Sequence, residues 1–170
     1  MTSTEQQSEQ AVTQFLTFCL DSGEYGVEVE KVREVLEYTK VTKVPRTPDF
    51  MRGVINLRGS VVPVLDLRLK FGMPEVEQTV YTCIIVLEVE SEDNETVILG
   101  AIADAVNEVI DLDKSMIEPP PRIGDEVDAE FISGMGKREE EFIIILDIDR
   151  VFTLKEIKKV SEHMQAAPGE

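Results

Sequence analysis

Residues 56–67 read Asn56-Leu57-Arg58-Gly59-Ser60-Val61-Val62-Pro63-Val64-Leu65-Asp66-Leu67. An arginine and a glycine fall at a break between two apolar runs, and a carboxylate closes the second run. Gly59 supplies the backbone freedom that a short hairpin turn needs, so 51–57 is expected to pair with 60–67. Val61, Val62, Val64 and Leu65 predict a strand buried on both faces. Pro63 has no N–H to give to a ladder, which places an edge or a bulge there. Arg58 is thereby presented at a defined corner on a rigid support, as a recognition element is.

The composition narrows the function classes. A chain of 170 residues fits one globular domain or two small ones sharing a core. With 34 acidic and 17 basic side chains the net charge is −17, which repels nucleic acid and anionic lipid. Cys19 and Cys83 each sit inside an apolar run and read as small core residues rather than a disulfide, since nothing marks a secreted chain. Two cysteines and one histidine do not make a four-ligand zinc site without carboxylates, and no ligand spacing suggests a metal. The first ten residues are polar and acidic, unlike a signal peptide, and no apolar run approaches the ~20 residues of a membrane span. A cytoplasmic protein without direct membrane insertion is expected.

Outward from the hairpin, short strands dominate. Strands are expected at 15–20, 25–29, 81–89, 97–103 and 142–147, with extended chain at 34–38. Helical turns are expected near 30–33 and 68–71, an acidic hairpin loop at 91–95, and a proline-rich linker at 118–122. Only 153–165 has helical spacing, with Leu154, Ile157, Val160 and Met164 on one stripe. The expected class is all-β with a few short helices, a barrel or sandwich.

The two halves repeat. Gly26, Val32, Glu34 and Val35 recur as Gly100, Val106, Glu108 and Val109 at an offset of 74. Phe50, Gly53, Leu65 and Asp66 recur as Phe131, Gly134, Leu146 and Asp147 at an offset of 81. The difference falls in the connector that carries Pro119 to Pro121 in the second half. Two copies of a small barrel, each too small to stand comfortably alone, are expected to pack together and leave a groove between them.

Catalytic readings fail on the same residues. His163 lies near the C-terminus with no fixed neighbours, and no nucleophile elbow or phosphate-binding loop occurs. The carboxylates Glu88, Glu90, Glu92, Asp93 and Glu95 lack the glycine and terminal glutamate of a calcium loop and read as a solvated hairpin tip. A carboxylate-based metal-dependent hydrolase is therefore only a remote alternative. What remains is binding chemistry. Val32 and Val106 occupy matching positions in the two copies, as core residues or as contacts. Glu34 and Arg58 form an opposite-charge pair that adds little to folding if exposed, so placement of the guanidinium fork is the better reason for it.

The runs Gly53-Val54-Ile55-Asn56-Leu57-Arg58-Gly59 and Val62-Pro63-Val64-Leu65-Asp66-Leu67 resemble the signature of the chemotaxis coupling family CheW. Tyr25-Gly26-Val27, Val32-Arg33-Glu34-Val35, Gly100, Val106-Asn107-Glu108-Val109 and Ile145-Leu146-Asp147-Ile148 support it over about residues 13–155. The resemblance implies two intertwined five-stranded SH3-like barrels and a non-catalytic adaptor without cofactor. Its implied partners are the cytoplasmic tip of methyl-accepting chemoreceptors and the regulatory domain of the histidine kinase CheA, with recruitment to membrane receptor arrays through those partners. It places receptor contacts around Val32, Glu34, Arg58 and Val106. A coupling protein of a non-motility chemosensory pathway is the alternative within the same class. The expected division is a flexible tail at 1–12, a CheW-like domain at 13–155 and a C-terminal helix and tail at 153–170. Within the domain, one barrel takes about 21–80 and the other about 81–152 with strand 13–20. In the second copy, Lys137-Arg138-Glu139-Glu140-Glu141 replaces Asn56-Leu57-Arg58-Gly59-Ser60, so the strand and Asp66 read as architecture and Arg58 as the contact.

Overall fold

The alternation of apolar and polar residues becomes eleven short strands among the described residues, which in this computed structural model are 12–90, 94–120 and 131–151. Residues 1–11 of the expected tail at 1–12, 91–93 of the hairpin loop at 91–95, 121–122 of the linker at 118–122, and the whole helix at 153–165 with His163 lie outside them, while Val12 already belongs to a strand. The strands are β1 (Val12–Leu20), β2 (Gly23–Glu28), β3 (Val32–Glu37), β4 (Met51–Leu57), β5 (Ser60–Asp66) and β6 (Cys83–Glu90). They continue with β7 (Thr96–Ala103), β8 (Ala105–Asp113), β9 (Ile117–Glu118), β10 (Ile132–Arg138) and β11 (Glu141–Leu146). Two single-turn helices, α1 (Leu67–Lys70) and α2 (Ile148–Val151), follow β5 and β11. No described helix is long and apolar enough to cross a membrane.

Two sheets result, in the orders β3-β6-β7-β5-β4 and β8-β1-β2-β11-β10-β9. The expected boundary near residue 80 is corrected by this pairing. β6 and β7 join the first sheet, while β2 joins the second through a parallel pairing of Tyr25 and Gly26 with Ile144 and Ile145. The repeat explains why. β1, β2, β3, β4 and β5 correspond to β6, β7, β8, β10 and β11, and replacing each strand by its counterpart turns one sheet order into the other, β9 aside. Registers agree as well. Val64 pairs with Gly100 as Ile145 pairs with Gly26, and the bulge between Met51 and Gly53 recurs between Ile132 and Gly134. Each half thus gives two neighbouring strands to one sheet and three to the other, so the copies are intertwined.

Apolar residues facing inward form three clusters. One, around Ile55, Val62, Val64 and Ile84, lies within the first sheet, and another, around Phe15, Leu112, Ile143 and Ile145, within the second. The largest, including Phe18, Leu20, Leu65, Leu87, Leu99 and Leu146, draws on both sheets. Pro63 sits where β5 is bonded to β4 alone, because β7 joins only from Val64 onward. The expected edge is therefore a local one within an interior strand. Val61 departs from the expectation of burial and is 57% exposed.

Gly53 has φ +145, and a Cβ there would overlap the Thr42 carbonyl, whose residue exchanges both backbone hydrogen bonds with Val54 at 2.9 and 2.8 Å. Gly53→Ala is expected to lower stability by about 3 kcal/mol or more, through overlap and an unfavourable φ together. Urea denaturation checks it. Asp66 closes β5 and caps α1, accepting hydrogen bonds from the backbone N–H of Arg68 and Leu69. Burial raises its pKa above the usual aspartate value, outweighing those hydrogen bonds. The folded chain then holds a proton that the unfolded chain has released, so this contribution is present below the ordinary aspartate pKa and is lost as pH rises through the raised one. Asp66→Asn keeps the cap and removes the titration. Relative to the variant, the native chain is expected to lose stability as pH climbs across that window, read from urea midpoints between about pH 3 and pH 7.

Candidate functional site

The β4–β5 hairpin ends on the pair Leu57 and Ser60, so Arg58 and Gly59 alone make the turn. Both have positive φ, +51 and +90, the backbone of a tight turn that matches strand twist. Glycine adopts it freely, whereas an arginine does so only under strain. Asn56 steadies the turn, its Oδ1 accepting the Gly59 N–H at 2.8 Å. The guanidinium of Arg58 reaches across to Glu34 on β3, one Nη lying 3.4 Å from Oε1 and the other bonded to Oε2. Because β3 and β4 are the two edges of this sheet, the fork ties the edges where no ladder joins them. The hydrogen bond to Glu34 raises the pKa of Arg58, a group that is already fully charged at ordinary pH.

The second half has its own version. Arg138, at the end of β10, donates to Glu108, the counterpart of Glu34, and Glu24 lies 4.0 Å away. The Arg–Glu contact therefore has an echo in the second sheet, although the Asn-Leu-Arg-Gly turn itself does not recur there. The arginine there stands one residue earlier than the alignment places it, which hid it from a position-by-position comparison. The pairs differ in what they show to solvent. The Arg58 side chain is 70% exposed over a Glu34 that is 28% exposed, whereas Arg138 is 38% exposed beside a 49% exposed Glu108. The first pair offers its cation outward.

Val32 lies two residues before Glu34 on β3, opposite Leu87, and Val106 lies two before Glu108 on β8, opposite Phe18. Both are half-buried against the core shared by the sheets, where the chain crosses from one sheet to the other. Of the four expected site residues, Glu34 and Arg58 touch, Val32 stands beside them on one strand, and Val106 holds the equivalent place in the other sheet. Sequence reading missed Asn56 as the lock of the turn and Arg138 with Glu108 as its echo. Among the described residues no three His, Cys, Asp or Glu side chains gather as metal ligands. What the arrangement does chemically is present an exposed guanidinium, oriented by its fork on Glu34, near the half-buried Val32.

Arg58→Asn removes the fork and inserts a residue that tolerates positive φ. An exposed ion pair contributes little, so the thermal midpoint is expected to stay within about 3 °C of the native value by calorimetry.

Residues 14–156 match the family described as the CheW-like domain. The chain is 35% identical over 147 residues to the chemotaxis protein CheW of Klebsiella aerogenes, covering 86% of both chains. It is 32% identical over 143 residues to the CheW of Rhizobium meliloti, covering 84% of this chain and 89% of that one. Among solved structures it is similar to the scaffolding protein TtCheW of Thermoanaerobacter tengcongensis, with a TM-score of 0.74 and 35% identity over 85% of this chain and 94% of that one.

Proposed function

This chain belongs to the CheW-like family of chemotaxis scaffolds, with its two SH3-like barrels, and from that we propose that it couples methyl-accepting chemoreceptors to the histidine kinase CheA. It acts as a non-catalytic adaptor on the cytoplasmic side, reaching the membrane through its partners. The observation that carries this reading is Arg58, an exposed guanidinium held in a strained turn by Glu34 and Asn56. The strained turn costs stability and the exposed ion pair that spans the sheet edges returns little of it, so a partner is the better reason for keeping both. Val32, two residues from Glu34 on the same strand, sets an apolar side chain beside a polar element, and Val106 repeats that place beside Glu108, the pattern of surfaces that receive a helix. A chemoreceptor tip offers such a helix, and the kinase regulatory domain meets other apolar edges of the barrels.

Calorimetric titration of the native chain with a receptor signalling-tip fragment and with the kinase regulatory domain tests the reading. Arg58→Glu is expected to weaken receptor binding by about tenfold or more, since it places a repelling charge at the contact. The swapped pair Glu34→Arg with Arg58→Glu restores the seam but not the affinity if the guanidinium itself is read. Full recovery in the double variant would reduce Arg58 to a structural part. No binding of either fragment by the native chain sinks the adaptor reading as a whole.

A further inference from the structure

The connector between β3 and β4 runs against the electrostatics of the rest of the chain. Residues 39–52 carry Lys40, Lys43, Arg46 and Arg52 against the single carboxylate of Asp49, in a protein of net charge −17. The segment is stiff. Pro45 and Pro48 restrict it, Thr42 is bridged to Val54 in both directions, the Thr47 hydroxyl donates to the Val44 carbonyl at 3.0 Å, and the Met51 N–H donates to Pro48 at 3.0 Å. Together with Leu69 and Glu75 it walls an open cleft of about 570 Å³. Arg52 is already engaged by Glu75 at 2.7 Å. Lys40, Lys43 and Arg46 are exposed and make no ion pair among the described residues.

Two observations say that the fold does not ask for these cations. Arg46 has φ +63, where asparagine or glycine sits with less strain. The equivalent connector of the second half is acidic in sequence, with Glu118, Asp125, Glu126, Asp128 and Glu130 against Lys114 and Arg122. Exposed unpaired cations also add nothing to stability. We propose that this cleft is a second docking surface, independent of Arg58 and of the coupling reading, and that it takes a short carboxylate-rich peptide segment of a partner protein. A short segment is favoured over a nucleic acid by range. Screening confines attraction to ~8 Å at physiological salt, so a peptide stays within the cationic patch while a long polyanion extends onto acidic surface.

Fluorescence anisotropy of a labelled peptide of about ten alternating Glu and Ser residues, titrated with the full chain, tests this. Saturable binding is expected, weakening by about tenfold or more in Lys43→Glu with Arg46→Glu, and by a similar factor when salt rises from about 50 to 300 mM. Lys43→Ala with Arg46→Ala, which introduces no new charge, is expected to weaken it in the same direction, and circular dichroism confirms that each variant is folded. The proposal is overturned if the native chain gives no saturable binding, or if both pairs of substitutions leave binding intact. It is equally overturned if millimolar inorganic phosphate abolishes binding or an oligonucleotide binds as tightly, because the cleft is then a general anion site. Sedimentation showing self-association that the same variants abolish assigns the surface to a second copy instead.

Discussion

Neither barrel closes without strands from the other half of the chain, and the remaining architecture depends on that constraint. β2 must leave β3 and pair with β1 and β11, and β7 must leave β8 and pair with β6 and β5. The crossing segments carry their apolar faces into one cluster that contains more buried side chains than either barrel interior. What separates the sheets is therefore also their main core. A five-stranded sheet of this size buries too little by itself, and exchange of strands lets two such sheets share one interior.

The pseudo-symmetry is broken by charge at places the backbone treats as equal. Asp66 and Asp147 take up matching positions, their N–H groups donating to Phe50 and Phe131 at 2.7 and 2.8 Å. Two residues beyond each, Arg68 on α1 and Asp149 on α2 are counterparts of opposite sign. Arg68 is 4% exposed and binds Asp104 at 2.6 Å beside the β7–β8 crossing. Asp149 binds Lys31 at 2.9 Å beside the β2–β3 crossing and raises its pKa through that hydrogen bond. Each helix is tied to the crossing next to it by a pair whose polarity is reversed in the other copy. An exchange of the two helices would set like charges together, so charge gives each a single place.

Much of this was legible in the chain. The offsets of 74 and 81 named the corresponding strands correctly, because glycines and apolar residues recur where sheets approach closely or bury a face. The repeat alone did not disclose the exchange of strands, since it says which segments correspond but not whether they pair within a copy or across it. Intertwining, with strand 13–20 joining the second barrel, came from the family resemblance, and the transfer of β2, β6 and β7 was legible in neither. Gly26 pairing in parallel with Ile145 is a tertiary choice that no local pattern announces. Arg68 was hidden for a related reason. A cation reads as surface until Asp21 and Asp104, both distant in sequence, are brought to it. The site itself divided the same way, with Arg58 plain in its turn and the answering pair of Arg138 and Glu108 masked by a shift of one residue.

The parallel pairing of β2 with β11 also sets an order of events during synthesis. When Tyr25 leaves the ribosome its partner Ile144 has yet to be made, and at about 5–20 residues per second the wait is on the order of ten seconds. β1 meanwhile waits for β8, and β3 for β6. Among the described residues the only ladders the nascent first half completes from its own strands are the β1–β2 and β4–β5 hairpins, while the apolar faces meant for the shared core remain uncovered. A chain so wound together matures late and as a whole, and a ribosome stalled midway would release two hairpins rather than a working barrel.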